Sequence, residues 1–220
     1  MATNMSRLGK WLINGLTVVT LCVALWVLLQ PESLIRVRWE EYRSRVRSLR
    51  ELAGHWDQLD SLAVPLYQGD RRPQVVEIAN YNCHFCRMFS ASVDSADDHG
   101  VRIAVLLTAT PDDSIARLAA LAVLCADSRS SMIRMHRRLM TSTTWRDNAH
   151  WAREALDAGI KDTTEFRTCM LRRPTARRFE RNRELVESLS LKGTPTFLTK
   201  RNIVFGGIGA DRLQAIASDQ

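Results

Sequence analysis

The hydrophobic positions of this 220-residue chain follow three successive patterns, and the first is a run of nineteen residues without a charge, from Trp11 to Leu29. Such a run is long enough to cross a bilayer. No small-residue cleavage signal follows it, so it does not resemble a removed leader peptide. We therefore expect an uncleaved transmembrane helix over residues 11–30, preceded by a short tail over residues 1–10.

The second pattern is a predicted juxtamembrane helix over residues 31–62. Its apolar residues recur at alternating spacings of four and three, typical of a coiled-coil seam. They are Ile35, Trp39, Tyr42, Val46, Leu49, Ala53 and Trp56. Arginines flank this seam and would repel one another in a parallel homodimer. Three interpretations stay open: a helix on anionic lipid, a helix paired with an acidic surface, or a spacer that packs on its own domain.

The third pattern, over residues 63–220, predicts an α/β domain. A short edge strand begins near Val64, and buried strands are predicted over 75–81 and 101–108 because these runs are apolar and β-branched. A helix between the two buried strands implies a right-handed parallel unit. Helical spacing then dominates a long insertion over about 111–190.

Strand character returns at the end of this domain. The run Gly193-Thr194-Pro195-Thr196-Phe197-Leu198 reads as a strand, and residues 202–205 form its predicted partner. A last helix is expected over 210–218. The domain thus begins and ends with sheet elements and carries its helical insertion between them.

The charge composition indicates which kinds of binding partner to expect. The formal net charge is +7, with 31 basic and 24 acidic residues. The basic residues are scattered and do not form an aromatic-interleaved patch on a recognisable module, so no nucleic-acid partner is expected. Basic residues beside a membrane anchor fit anionic lipid headgroups better.

The strongest chemical signal is Cys83-His84-Phe85-Cys86, which lies where the strand over 75–81 gives way to a helix. Cys83 is therefore expected at the helix N-terminus, where unpaired N–H groups and the helix dipole stabilise a thiolate. Phe85, Phe89 and Val93 share one face of that helix at helical spacing. A nucleophilic Cys83 with Cys86 one turn deeper can cycle between dithiol and disulfide.

The sequence gives less support to other roles for the cysteines. A zinc site would need a second pair of ligands, and Cys125 and Cys169 are isolated from each other and from the histidines, so no metal and no cofactor is expected. A purely structural Cys83–Cys86 bond would be strained and reducible. Cys125 and Cys169, each on a predicted helix, form a candidate structural disulfide if the domain lies in an oxidising compartment.

The order strand, C-x-x-C, helix, strand, helical insertion, G-T-P-T-F, hairpin and helix resembles the DsbA family of thioredoxin-fold thiol:disulfide oxidoreductases over roughly residues 63–219. The resemblance implies that Cys83 is the attacking thiol and Cys86 the resolving thiol. It places Thr194-Pro195 in a cis-proline loop that faces the active site and binds substrate. Glu77 matches an acidic position that assists proton transfer to the buried cysteine, although a satisfied buried carboxylate is an equal alternative.

One departure from the family concerns the residues between the cysteines, which tune the redox potential. The sequence has His84 then Phe85, whereas the best-known oxidant of the family has proline then histidine. A protonated His84 would stabilise the thiolate, but the side chain could also face solvent. The direction of electron flow therefore stays open.

The sequence predicts a thioredoxin-like α/β domain held in the inner membrane by a single span, with its catalytic part in the periplasm. Its expected substrates are thiol-containing exported proteins, with a membrane redox partner and membrane lipid as further partners. Two alternatives remain: a tethered thiol reductase of the same fold, and a non-catalytic interaction protein that uses the heptad helix. The arginines after the span oppose this orientation by the positive-inside rule, but long domains translocate largely regardless of charge.

Overall fold

A computed structural model describes residues 15–26, 34–148, 150–191 and 193–219. The chain divides into two compact units, Met1–Arg47 and Ser48–Gln220.

In the first unit, residues 15–26 form helix α1, whose apolar side chains, such as Leu21 and Trp26, are exposed. The predicted tail over 1–10 and both ends of the predicted membrane span, 11–14 and 27–30, lie outside the described residues. Within the described ranges, no helix combines the length and the apolar character needed to cross a membrane.

Helix α2 runs from Leu34 to Leu62 without a break. Its part in the first unit exposes Trp39 and Tyr42, whose rings stack with centroids 5.8 Å apart. The Arg43 guanidinium lies over the Trp39 ring. The side chain of Ile35, a predicted seam position, lies outside the described part of the chain.

In the second unit, the buried face of α2 agrees with the predicted seam at Trp56 and partly at Leu49, but not at Ala53. Leu52, Trp56 and Leu59 are buried, whereas the seam residue Ala53 is exposed. A helix lying on a globular surface keeps the 3.6-residue period, so its buried stripe moves away from a strict heptad. This stripe packs with Leu62 and other residues on one side of the sheet, namely Ala63, Val76, Ile78, Ala104, Leu106, Leu185, Leu189 and Leu198. The C-terminal half of α2 is thus part of its own domain.

The sheet has five strands in the order β1-β3-β2-β4-β5. They are β1 Val64–Pro65, β2 Val75–Ala79, β3 Ile103–Leu107, β4 Thr196–Leu198 and β5 Ile203–Phe205. β2 and β3 pair in parallel, as the sequence predicts, and the other neighbours are antiparallel. All residues of β2 and β3 are buried, because both faces of the sheet are covered.

The helices follow the sequence pattern closely. They are α3 His84–Met88, α4 Ser90–Asp94, a 3₁₀ turn Asp97–His99, α5 Ser114–Leu124, α6 Arg129–Thr141, α7 Thr144–Asn148, α8 Trp151–Asp157, α9 Thr163–Leu171, α10 Arg173–Ser188 and α11 Ala210–Ser218. The short helix α7 is not predicted from the sequence. Helices α5 to α10 form the insertion, and a larger core joins α5, α6 and α9 to the second side of the sheet.

The helix after the cysteine motif is interrupted, which corrects the prediction of one continuous face. α3 and α4 meet at Phe89, whose φ of −97° and ψ of 3° leave the helical region. Val93 is buried, but Phe85 is 56% exposed. The change of direction lets α4 reach the core while Phe85 stays at the surface.

Candidate active site

Cys83 is the N-cap residue of α3, as its place between strand and helix predicts. Its extended backbone lets the Sγ atom accept a hydrogen bond from the Cys86 N–H at 3.3 Å. Burial raises the pKa of this half-buried thiol, but hydrogen bonds involving Thr194, Cys86 and the Phe85 backbone lower it by more. The net pKa of Cys83 lies below the ordinary thiol value, so the site favours a thiolate.

Cys86 lies one turn deeper and is buried, and both motif cysteines are free thiols. Burial is the main cause that raises its pKa, and the nearby Glu77 carboxyl raises it further. The two sulfurs therefore differ in character: Cys83 favours the thiolate and Cys86 the protonated thiol. Such a difference separates an attacking thiol from a resolving one.

The Thr194-Pro195 peptide bond is cis. This loop brings the Thr194 carbonyl oxygen to the motif, where it accepts a hydrogen bond from the Cys83 Sγ at 3.1 Å. On its other side the loop joins the sheet, since the Pro195 carbonyl accepts from the Gly206 N–H. The two predicted motifs, 111 residues apart in the chain, meet at one sulfur atom.

Glu77 lies in the middle of β2, paired with Val105 and Phe197 on the neighbouring strands. Its side chain is buried, and its Oε2 atom has no hydrogen-bond partner among the described residues. Burial, followed by the charges of Asp94 and Cys83, raises the pKa of Glu77 to about 8.

The two residues between the cysteines face outward. His84 is exposed, and its ring contacts the Phe85 ring edge-on at 5.6 Å between centroids. Met88 and Phe205 are also more than half exposed. Phe205 pairs with Thr196, the residue after Pro195, so an apolar surface lies beside the cis-proline loop.

Sequence reasoning missed a buried polar contact beside the motif. The Tyr81 hydroxyl lies 3.0 Å from His136 Nδ1, and both side chains are buried. Burial, then the charge of Arg137, lowers the pKa of His136 to about 3, so the imidazole is neutral at physiological pH. The helical spacing that places His136 among Met132, Met135 and Leu139 already indicates burial, but no local pattern shows its partner on another element.

Away from this site, Cys125 and Cys169 are joined by a disulfide with 5.8 Å between their Cα atoms. The bond connects the residue that ends α5 to α9 inside the helical insertion. Thr175 at the start of α10 lies against both sulfurs.

Comparisons with known proteins agree with this geometry. A thioredoxin family model matches residues 66–219, which is most of the chain. A linker-deletion variant of ScsC from Proteus mirabilis is 21% identical over 92% of this chain and 93% of its own, with a TM-score of 0.72. The thiol-disulfide exchange protein alpha-DsbA2 from Wolbachia pipientis is 13% identical over 81% of this chain and 97% of its own, with a TM-score of 0.67.

Oxidised BdbD from Bacillus subtilis is also similar, at 17% identity over 72% of this chain and 92% of its own, with a TM-score of 0.60. No curated protein sequence matches the chain. The fold and the cysteine pair define a thioredoxin-fold protein whose fold is similar to that of alpha-DsbA2, as the sequence resemblance indicates. The chain belongs to the thioredoxin family, and it is a thiol:disulfide oxidoreductase.

Proposed function

We propose that this protein forms disulfides in exported proteins, with Cys83 as the atom that exchanges with substrate and Cys86 as the resolving thiol. The observation that carries this proposal is the contrast between the two sulfurs, since Cys83 is partly exposed with a lowered pKa and Cys86 is buried with a raised one. That contrast sets both the site of attack and the order of the steps.

In the first step, a substrate thiolate attacks Sγ of Cys83 in the oxidised pair. The Cys83–Cys86 bond breaks, the Cys86 sulfur leaves with the electron pair, and a mixed disulfide links substrate to Cys83. A second substrate thiolate then attacks the substrate sulfur of that bond and releases Cys83 as a thiolate. The substrate loses two electrons, and the enzyme pair gains them.

The lowered pKa of Cys83 favours this direction over reduction. A stabilised thiolate is a good leaving group, and it stabilises the reduced form of the enzyme, which makes the oxidised form a stronger oxidant. A reductase also has a lowered pKa at its attacking cysteine, but its reduced form is stabilised less. The redox potential against glutathione separates the two, because a value well below about −250 mV would indicate a reductase.

Glu77 has the position and the pKa for proton transfer at Cys86. When Cys86 leaves as a thiolate in a buried site, it needs a proton, and a carboxyl with a pKa of about 8 is partly protonated near neutral pH. Afterwards the carboxylate can take the proton back when the disulfide reforms. We assign Glu77 this role.

An unfolded substrate can bind exposed apolar side chains beside the sulfur, namely those of Phe85, Met88 and Phe205. The Thr194 backbone lies at the same place and offers an edge for pairing with an extended chain. The recognised feature is therefore an extended, partly apolar segment around a cysteine.

A test of the catalytic assignment uses the oxidised protein and a reduced peptide with two cysteines, with peptide oxidation followed by mass. Cys83→Ser should abolish peptide oxidation. Cys86→Ser cannot form the oxidised pair and should also fail to oxidise the reduced peptide. Given the oxidised peptide instead, it should stop at a mixed disulfide through Cys83, because the Cys83 thiolate displaces one peptide sulfur and no resolving thiol remains. Cys22→Ser is the matched control and should oxidise the peptide at the wild-type rate. Peptide oxidation by Cys83→Ser would instead support a scaffold that holds a partner without turnover.

We further propose that the chain is tethered to the inner membrane through residues 11–30, with the catalytic unit in the periplasm. The uncharged run in the sequence supports the tether. The Cys125–Cys169 disulfide supports an oxidising compartment. One similar structure is that of a periplasmic thioredoxin-like protein from Salmonella. In this arrangement the protein can meet the membrane redox partner and the membrane lipid that the sequence analysis expects.

Fractionation and labelling test this placement. The full chain should sediment with membranes and resist extraction at high salt. A membrane-impermeant thiol reagent should label Cys83 in intact cells after mild reduction. Labelling only after lysis would place the unit in the cytoplasm.

A further inference from the structure

A side-chain pair attaches Asn82, the residue before Cys83, to the helical insertion. The Asn82 Nδ2 atom donates to both carboxylate oxygens of Asp113, at 2.7 and 2.9 Å. Asp113 is the N-cap residue of α5, and its Oδ1 atom also accepts from the Ala116 N–H at 2.9 Å. One half-buried carboxylate thus caps a helix of the insertion and holds the residue next to the active thiol.

The loop itself is closed by local hydrogen bonds. The Asn82 N–H donates to Asn80 Oδ1 at 2.7 Å, and the Cys83 N–H donates to the Asn80 carbonyl at 3.0 Å. These bonds set the turn after β2, but they do not fix its position relative to the rest of the domain. The contact with Asp113 supplies that fixed point on one side, and the Thr194 carbonyl receives the sulfur on the other.

Further contacts attach the motif region to the insertion, and one of them runs from Arg146 Nη2 to the Tyr81 carbonyl at 3.4 Å. The Tyr81 hydroxyl meets His136 on α6, and the Arg87 guanidinium on α3 donates to the Leu139 and Ser142 carbonyls at the end of α6. These contacts hold the flanks of the motif. Of these contacts, the one with Asp113 is made by Asn82, the residue that directly precedes Cys83.

Resting on the proposed function, we propose that Asp113 is a positioning residue for Cys83 and acts through Asn82. With the loop held, the Cys83 sulfur stays in line with the Cys86 N–H and within reach of Thr194. Without the bond, the loop gains freedom and the thiolate loses the aligned Cys86 N–H donor. The insertion therefore contributes directly to the reactivity of the thiol.

The test measures the pKa of Cys83 from the pH dependence of its alkylation by iodoacetamide, with the modified residue identified by mass. Asn82→Ala removes the bond and keeps the charge of Asp113. Asp113→Ser keeps a good helix cap but is too short to reach Asn82. Both variants should raise the pKa of Cys83 by about one unit.

At a pH below the pKa of Cys83, a rise of one unit lowers the thiolate fraction about tenfold, and the higher intrinsic nucleophilicity recovers about threefold of that. Alkylation at that pH should therefore slow about threefold, and peptide oxidation should slow because a less acidic Cys83 is a poorer leaving group. The double variant should match either single variant, because both remove the same bond.

Asp162→Ser is the control for loss of a cap by itself, since Asp162 caps α9 through the Thr164 and Glu165 N–H groups. It should leave the Cys83 profile unchanged. An unchanged profile in Asn82→Ala overturns the proposal. So does a lowered pKa in Asp113→Ser, which would show that the charge of Asp113 acts and the bond does not. An equal shift in Asp162→Ser would assign the effect to helix stability. Each of these outcomes leaves the Cys83→Ser test of function intact.

Discussion

The Sγ atom of Cys83 lies 3.1 Å from the carbonyl oxygen of Thr194, which is 111 residues further along the chain. This contact joins the start of the motif helix to the cis-proline loop and places a reactive sulfur beside the backbone that leads into β4. The proposed sites of sulfur chemistry and of substrate binding thereby lie together.

Glu77→Gln should change how stability depends on pH. The pKa of Glu77 is raised from 4.5 to about 8 in the folded protein, so the native state binds this proton more tightly than the unfolded chain. This contribution is fully present below pH 4.5 and is lost as the pH rises through 8. Relative to Glu77→Gln, the wild type should lose on the order of 5 kcal/mol across that range.

Urea unfolding of both proteins at several pH values between 4.5 and 9 measures this difference. Titrating groups that do not interact with Glu77, such as His136, are present in both proteins and cancel in the comparison. Parallel stability curves for the two proteins would contradict a raised pKa at Glu77.

Gly207→Ala should destabilise the motif helix. A Cβ atom at Gly207 would lie 1.9 Å from Cδ2 and 2.5 Å from Cγ of Phe89, the residue between α3 and α4. The ring would have to move, at a cost of about 1–3 kcal/mol in the free energy of unfolding. Adding Phe89→Leu should recover part of this loss.

The matched control for this substitution is Gly54→Ala. A Cβ atom at Gly54, within α2, meets nothing within 4 Å. Alanine should stabilise the helix there by about 0.5–1 kcal/mol. Thermal or urea unfolding measures all three variants, and equal effects at Gly207 and Gly54 would rule out the clash.

Replacing Cys125 and Cys169 together by alanine should lower stability without changing the active site. The bond closes a loop with a sequence separation of 44 residues, and its loss frees the unfolded chain, for a cost of about 2–4 kcal/mol. Urea unfolding measures this loss. Alkylation of Cys83 should keep its wild-type pH profile, and a changed profile would show that the bond also tunes the motif.

Leu59→Ala should show that the end of α2 belongs to the catalytic unit. Leu59 is fully buried, at 0% exposure, in the cluster beneath the sheet. Its truncation should cost about 2–4 kcal/mol in the free energy of unfolding. Tyr42→Ala, at a 59% exposed position of the same helix, should change stability by less than about 0.5 kcal/mol. A small effect at Leu59 would mean that α2 is only a spacer.

Much of the molecule is determined by local sequence. β-branched runs specify β2 and β3, and an acidic cap at Asp113 begins α5. The position of Cys83 as N-cap follows from a strand that ends just before a helix, since alternation and helical periodicity are properties of neighbouring residues. The family resemblance extends this to the order of elements along the chain and to the cis proline.

Tertiary structure decided what depends on neighbours distant in sequence. Heptad spacing predicts Ala53 inside and does not select Leu52, because the buried stripe of α2 depends on the shape of the sheet surface that it covers. Two polar contacts also join separate elements, namely Tyr81 with His136 and Asn82 with Asp113. The unpaired oxygen of Glu77 likewise depends on the elements packed around it. Desolvation and hydrogen-bond geometry depend on the folded surroundings of a group, so these properties emerge only when the chain is packed.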